Sequence, residues 1–462
     1  MADAKTVQGG FHKPIHSGHA PAPLYCLRVF QCRIAHLYLG HSGCHPDLDI
    51  CAICAIAPHW WLSSGPPWGL ALGGHSRLCA GHHHYGSYCR PHAETGKMTK
   101  QPLSAHAQSA PQSQNGSPLS SFEFWPGWIF YTPIVIYWIL LGLRYRDFST
   151  PTAANPRIET GGLCGESKSG ILDMAGTTAA RWIAPYTTLF TSTDDTRRAE
   201  EAMAHKGLSL PVVVKPDIGC NGTGVKLART SAELDAALAA FPRGIKLVIQ
   251  RLIPYRHEAG LFYIRHPDSP HGTLSSLTYK DIPALQGNGR DTVLELLKQD
   301  PRTRLLLHIY TPRLQNRLHE VLPEGETIDL VFTGNHCKGA IFRNGAADIT
   351  PALTARLDEI MQDIPDFHFG RVDVKFDSVD ALRAGEKFEI IEINGVGSEA
   401  THIWDSRTSL REAYAAQFHH YGETFRIGAK KKKAGWKSSG LWHGVRLWRR
   451  QKRLLASYPM ND

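Results

Sequence analysis

Cysteine is scarce over most of this 462-residue chain. Seven of the ten lie before Met98 (Cys26, Cys32, Cys44, Cys51, Cys54, Cys79 and Cys89), which leaves only Cys164, Cys220 and Cys337 beyond it. So thin a supply excludes a disulfide framework for the main body and fits a reduced, cytoplasmic compartment. Cys51 and Cys54 make one CxxC, but the second ligand pair that a structural zinc site shows at short, fixed spacing is missing. Residues 1–97 hold few acids and no sustained period of 2 or 3.6. No charged n-region leads there into an unbroken apolar run, so a signal peptide is not expected. This stretch reads as an irregular Cys/His-rich extension rather than a folded domain, with Met98 as the expected functional start.

Other absences narrow the chemistry. The pattern GxxxxGK[ST] does not occur, which excludes a P-loop. No acid falls between Arg426 and Asn461, while Lys430–Lys433, Lys437, Arg446, Arg449, Arg450, Lys452 and Arg453 do. The formal charge of +9 therefore belongs to the tail, and the rest is about neutral. Trp436, Trp442 and Trp448 interleave with these cations, which suits an anionic membrane surface or a solvated charged helix. Nucleic acid is not an expected partner, because no nucleic-acid module accompanies the run.

What is present falls into segments. Residues 98–121 are Ser/Gln/Pro/Ala-rich and read as a disordered linker. Residues 122–146 hold "WPGWIFYTPIVIYWILLGL", which just reaches transmembrane length and is broken by Pro126 and Pro133. A membrane span and a buried or interfacial helix both fit it. From 150 to 425 apolar β-branched runs ("PVVVKP", "IKLVIQRLI", "TIDLVF", "RVDVKFD") alternate with helical patterns ("SAELDAALAAF", "DTVLELLKQD", "TARLDEIMQDI"), predicting an α/β body. The basic tail, 426–462, completes the chain.

Three stretches carry chemistry. In "PVVVKPDIGCNGTGV" an apolar strand delivers Lys215 into a loop with Gly219, Gly222 and Gly224, whose backbone N–H groups can approach phosphate oxygens. In "GRVDVKFD" strand alternation sets Arg371, Asp373 and Lys375 on one face. In "FEIIEINGVGSEA" alternation predicts Glu392 and Asn394 on the face of Ile390, with Glu389, Ile391 and Ile393 opposite. If the last two are neighbouring antiparallel strands, Asp373, Glu392 and Asn394 converge, and three oxygen donors suit Mg²⁺. Arg371 then faces the same site with a fork suited to a phosphate. An ion-paired, solvated sheet face is the plain alternative.

The order Lys, Gly-rich loop, R-x-D, E-x-N over roughly 160–405 resembles the ATP-grasp superfamily. It is most similar to D-alanine–D-alanine ligase and cyanophycin-synthetase-like carboxylate–amine ligases. The resemblance implies an ATP-grasp fold in which two α/β subdomains clamp ATP. It implies that Lys168 and Lys215 contact the nucleotide phosphates under a lid at 219–224, with Lys280 a further candidate. It implies that Gln250 and the backbone of Arg251, Leu252 and Ile253 hold adenine, and that Glu258 takes the ribose hydroxyls. Asp373, Glu392 and Asn394 match the metal ligands for one or two Mg²⁺, and Arg371 the arginine that steadies the transferred phosphoryl group. The implied activity is ATP-dependent activation of a carboxylate as an acyl phosphate, for attack by an amine. The chain departs from the pattern at Gln250, where an acid is common, at Asn288 in "GNGRDTVLELL", and in having no α/β domain between Met98 and Lys168. An ATP-binding membrane-associated scaffold and a small-molecule kinase are the rival expectations. His336 reads as a loop histidine without a role, His402 and Asp405 equally as pocket-lining or as helix-capping or surface residues, and His419 and His420 as solvated.

Overall fold

The computed structural model describes residues 120–462. The N-terminal extension (1–97) and all but the last two residues of the linker lie outside the described residues. Helix α1 (Gly127–Tyr145) opens the described part. It is long and apolar enough to cross a membrane by length and composition. Its residues Phe130, Ile134, Trp138 and Gly142, spaced four apart, are buried on one side. Trp128, Ile136, Leu140 and Leu143 stay exposed on the other.

The β-branched runs form strands, as their composition predicts. Strands β1 (Tyr186–Phe190), β2 (Val212–Pro216), β3 (Lys226–Ala228) and β4 (Lys246–Arg251) make an antiparallel sheet in the order β1-β4-β2-β3. Helix α2 (Lys168–Leu172) buries Ile171 and Leu172 in the core of a second, five-stranded sheet, whereas α3 (Asp195–His205) and α4 (Ser231–Ala239) belong to this lobe. Val212, Val214, Leu247 and Ile249 pack there on Ala199, Met203, Leu234 and Leu238. The side chain of Thr230 caps α4 by accepting from Glu233 N–H.

The second lobe is built on β5 (His257–Ile264), β6 (Thr273–Asp281), β9 (Ile341–Asn344), β10 (Phe369–Phe376) and β11 (Phe388–Asn394), in the order β11-β10-β5-β6-β9. A two-stranded ribbon, β7 (Ala284–Gln286) with β8 (Thr327–Asp329), stands apart. Alternation gives the five-stranded sheet two different faces. Ala259, Leu261, Tyr263, Val372, Val374 and Phe376 point into one core, against Leu353, Leu357, Ile360 and Met361 of α5 (Pro351–Gln362). Phe262, Ile264 and Phe369 point the other way, into a core shared with α1 and α6 (Leu410–Lys433). This is the two-lobed α/β arrangement that the ATP-grasp resemblance implies, preceded by an apolar helix.

Two expectations change here. Helix α6 runs unbroken across position 426, so the first cations of the tail are part of the folded body. Lys430, Lys431 and Lys432 pair with Asp268, Asp366 and Asp147, at 2.7, 2.7 and 2.5 Å. A second helix, α7 (Leu441–Ser457), comes after it. His420, expected in solvent, is buried because α6 lays it on Phe262, with ring centroids 4.4 Å apart. Burial holds its imidazole down at about 3, so it is neutral. His419, one position around the helix, keeps an exposed side chain.

Candidate active site

The two lobes meet over a cavity of about 340 Å³. Strands β10 and β11 supply its floor. They are antiparallel neighbours, the condition on which the three donors converge, with Asp373 opposite Glu392 and Arg371 opposite Asn394. The register then slips: Val374 pairs with Ile390, leaving Ile391 as an extra residue. This bulge overturns the expected alternation. Ile390 and Ile393 both enter the core, while Ile391, Glu392 and Asn394 line the cavity. Ile390 therefore does not share a face with Glu392. The carbonyl of Ile391 accepts from Lys215 Nζ at 2.8 Å, which ties the small lobe to the floor. Glu389 turns away and pairs with Arg251 at 2.6 Å.

Lys168 reaches the site from the N-terminus of α2. Three bonds set its place beside β2: Lys168 N–H donates to the Asp217 carbonyl, Ser169 N–H to Asp217 Oδ1, and Ser167 Oγ–H to Asp217 Oδ2. The chain before it lies against the exit from β11. Val396 N–H and Gly397 N–H donate to the carbonyls of Gly161 and Gly162. A Cβ on Gly162 would come within 2.6 Å of Gly395 Cα, so this approach needs glycine. Lys168 Nζ then lies 2.6 Å from the Gly219 carbonyl and 3.4 Å from Glu392. In the Gly-rich loop Gly222 and Gly224 adopt positive φ, 64° and 76°. Gly219 and Gly222 line the cavity, whereas Gly224 sits behind it against Phe241 and Pro216.

The charges interlock. Asp373 is held by Arg371 (2.9 Å), Lys280 (2.8 Å) and Asn394 Nδ2 (3.2 Å). Burial opposes its charge, but Arg371 and Lys280 outweigh burial and hold the carboxyl below its usual range. Lys280 also meets Glu258 at 3.0 Å, and Lys375 approaches Glu258 at 3.5 Å. Burial works against Lys168 and Lys280 too, yet Glu392 raises the pKa of the first and Asp373 that of the second. Lys215 differs. Burial lowers it to about 8, with Lys168 adding to the effect and Glu392 opposing it. Its Nζ donates to Gln250 Oε1 at 2.8 Å, so the amide that replaces an acid at this position still receives the lysine. Arg251, Leu252 and Ile253 line the cavity. The N–H groups of Arg251 and Leu252 are already committed to the carbonyls of Pro185 and Pro211.

Among the described residues no group of three or more His, Cys, Asp or Glu forms a metal cluster. The candidate set has two carboxylates and an amide. Its donors are all oxygens, two of its members are register partners, and they line the same cavity as the lysines. That chemistry fits Mg²⁺.

Sequence reasoning missed the other end of the cavity. Glu123, Trp125, Phe130, Tyr131, His336, Glu399, Thr401 and Trp404 line it. Glu123 accepts from Arg302 at 2.5 and 3.0 Å and lies 2.7 Å from His336 Nε2. His336 thus has a place in the site: it stacks on Trp404 at 5.3 Å. His402 and Asp405, for which the sequence leaves pocket, capping and surface roles open, do not line it. Asp405 instead binds Arg407 and the Asn344 N–H. The aromatic run "FEFWPGWIFY" was the available signal, but a hydrophobic segment alone does not say what it covers.

No protein-family model matches the chain, and no curated protein matches it. Among solved structures it is similar to a bifunctional glutathione synthetase from Pasteurella multocida (15% identity, 52% of this chain, 35% of that one, TM-score 0.31). It is similar to the VanG D-Ala:D-Ser ligase from Enterococcus faecalis (13%, 57%, 64%, TM-score 0.33). It is also similar to the D-cycloserine synthetase DcsG (14%, 55%, 70%, TM-score 0.31). Its structural neighbours are ATP-grasp ligases. The chain spans about a third of the first and under two thirds of the second. Likeness this low says nothing of substrate, and the chain's own geometry has to carry the chemistry.

Proposed function

We propose that this chain is an ATP-dependent carboxylate–amine ligase of the ATP-grasp type, acting on a small carboxylate and a small amine. One observation carries the reading. Lys168, Lys215, Lys280 and Arg371, from both lobes, converge on the register-paired acids Asp373 and Glu392 and on Asn394, in one cavity under a glycine loop.

Asp373, Glu392 and Asn394 would hold Mg²⁺, which when bound neutralises phosphate charge and polarises the transferred phosphoryl group. The chain's own residues do the rest. Lys168 and Lys215 bind phosphate oxygens, and the N–H groups of the 219–224 loop add neutral donors. An entering polyphosphate competes for Lys280 and Lys168, which loosens their hold on Asp373 and Glu392 and frees those acids for the cation. Gln250 keeps Lys215 aimed into the cavity. Glu258 and the 251–253 segment take the nucleoside, with Ile253 supplying backbone contacts that Arg251 and Leu252 have already committed. Arg371, whose fork holds Asp373, would supply charge beside the phosphoryl group as negative charge builds up during transfer. Positioning and charge stabilisation of this kind supply most of the rate in phosphoryl transfer.

We place the enzyme in the cytoplasm, with the exposed side of α1 and the cations of α7 as its surface toward an anionic membrane. Fractionation of the expressed full chain tests that placement.

Product analysis tests the activity. The full chain is incubated with Mg-ATP and panels of amino acids and dipeptides. Amide with ADP and phosphate supports the ligase. A stable phosphorylated product marks a kinase and overturns the ligase reading, as does nucleotide binding without turnover.

A further inference from the structure

The end of the cavity away from the lysines has its own chemistry. Its walls are aromatic. Phe130 packs on Trp404 with ring centroids 4.8 Å apart, and Trp404 stacks on His336. Trp125 and Tyr131 complete the wall from the α1 side.

Two buried carboxyls face this end, and they are partnered differently. Glu123 is matched by Arg302 and His336, and those contacts outweigh burial and hold it at about 2. Its charge is already answered. Glu399 accepts only from neutral donors: Trp404 Nε1 at 2.8 Å, Tyr131 OH at 3.4 Å, and Gln417 Nε2. Arg371 Nη1 donates to the Glu399 carbonyl at 3.0 Å, but its guanidinium directs its charge at Asp373. Among the described residues no cation forms an ion pair with the Glu399 side chain. Arg371 from β10, His336 from the 333–338 loop, Tyr131 from α1 and Tyr421 from α6 are the charged or titratable groups beside it among the described residues, and burial still pushes its carboxyl up to about 8. Two residues on, the Thr401 hydroxyl lines the same cavity, is more than nine-tenths buried, and has no hydrogen-bond partner. A buried hydroxyl left without a partner is unfavourable, and a polar ligand would answer it.

An uncompensated carboxyl, an unpartnered hydroxyl and aromatic walls together fit an ammonium on an apolar body. We propose that this end of the cavity is the acceptor subsite, that it takes a primary amine carrying an aromatic or branched apolar group, and that Glu399 receives the amine's proton. The assignment rests on the ligase reading. In the step it describes, the ammonium gives one proton to the Glu399 carboxylate and becomes a neutral amine. The nitrogen lone pair attacks the carbonyl carbon of the acyl phosphate. The C–N bond forms, and the C–O bond to phosphate breaks and takes its electron pair with it. The second nitrogen proton leaves with the phosphate. Arg371 joins the two halves of the site, since it touches both Asp373 and the Glu399 backbone.

Binding of phenethylamine to the full chain tests this, read by titration calorimetry at pH 6.5 and 8.5, with 3-phenylpropanoate and 2-phenylethanol as probes of the same shape. Because an ammonium favours the ionised carboxyl, binding expels a proton from Glu399 and tightens as pH rises. The expected result is a preference for the amine over both controls, with a more than ~10-fold gain in affinity between the two pH values. That gain is expected to vanish in Glu399→Gln. Equal binding of the three probes, no binding of the amine, or a pH slope retained in Glu399→Gln would each overturn the proposal. Should Glu399→Gln fail to fold, Thr401→Val serves: a severalfold loss of amine affinity with the slope kept supports the subsite, and unchanged affinity overturns it. Binding of a non-hydrolysable ATP analogue to the wild-type chain is measured in parallel. Its absence beside intact amine binding would refute the ligase reading alone.

Discussion

Asp373 and Glu392 face each other as register partners across β10 and β11, yet different cations hold them: Arg371 and Lys280 hold the first, Lys168 the second. Lys168 stands at the start of α2, which bonds to Asp217 of the small lobe and buries Ile171 and Leu172 in the core of the second, so Glu392 is held where the two lobes meet. Glu392→Gln keeps shape and volume and removes only charge. It is expected to cut ADP release by ~100-fold or more, because cation-borne charge stabilisation is worth several kcal/mol and each 1.36 kcal/mol is tenfold. The melting temperature should stay within a few degrees, since Glu392 is partly exposed and its one ion pair is long. Turnover like that of the wild type would remove Glu392 from the metal set.

Lys215 predicts a pH dependence of nucleotide binding. Its ordinary value is 10.5, and burial lowers it to about 8 in the folded chain. Below pH 8 it is charged and ready for phosphate. Between 8 and 10.5 the folded chain binds fewer protons at this site than the unfolded one, so stability rises with pH across that window. Nucleotide affinity runs the opposite way. Phosphate favours the charged lysine, so binding above pH 8 takes up a proton and weakens as pH rises. Calorimetry in two buffers of different ionisation enthalpy at pH 8.5 measures that uptake. Lys215→Ala should abolish it and weaken ATP-analogue binding about tenfold or more, as expected for the loss of a charge-assisted hydrogen bond worth ~1.5–3 kcal/mol.

The pair Glu123–Arg302 predicts an acid-sensitive joint. Both side chains are nearly inaccessible, at 2% and 7% exposure, and the pair links the lead-in of α1 to the start of the helical segment at 303–313. Glu123 has its pKa lowered from 4.5 to about 2, because His336 and Arg302 overcome burial. Its contribution to stability is therefore fully present above pH 4.5 and is lost as pH falls from 4.5 toward 2. Arg302→Ala leaves the buried Glu123 carboxylate with His336 as its remaining charged partner and is expected to cost up to ~3 kcal/mol, read as a lower denaturation midpoint at pH 7. The double variant Glu123→Gln/Arg302→Met should recover part of that loss, since no charge then remains buried.

The motifs made the nucleotide end legible. Lys215, Asp373, Glu392 and Asn394 could be named from local strand and loop patterns, and Lys168 and Gln250 only through the ATP-grasp resemblance; all six line one cavity. Even there, period-2 reasoning failed at Ile391, because a bulge is a property of the pair of strands and leaves no mark in one of them. The acceptor end was not legible. Tyr131 and Glu399 are 268 positions apart, and only packing of α1 on the second lobe brings them together. His420 was misplaced for the same reason: nothing local in "QFHHYGETF" says which side of α6 meets Phe262. Charge counting went astray at Lys431, whose acid partner Asp366 lies 65 positions away.

Residues 458–462 predict control of the glycine loop proposed to cover the phosphates. Tyr458 OH donates to the Ile218 carbonyl at 2.8 Å, and its ring packs edge-on to Phe241, 5.8 Å between centroids. Asp462 binds Lys226 Nζ at 2.7 Å and Leu227 N–H at 2.8 Å, and Asn461 receives Arg313 at 2.8 Å. These contacts surround the 217–225 loop, so the loop's freedom to open depends on α7 and on residues 458–462 beyond it. A loop that closes over phosphates needs low local stability, and each fastening raises the free energy of opening. Tyr458→Ala removes a hydrogen bond and an aromatic contact, together on the order of 2 kcal/mol. Amide hydrogen exchange across 218–225 should then speed up by ~10-fold or more, while exchange in β10 and β11 stays unchanged. If chemistry limits turnover, ADP release falls as the loop closes less often. If loop opening limits product release, ADP release rises. Unchanged exchange in 218–225 would mean that the loop is held by its own turn and not by the helix that reaches back to it.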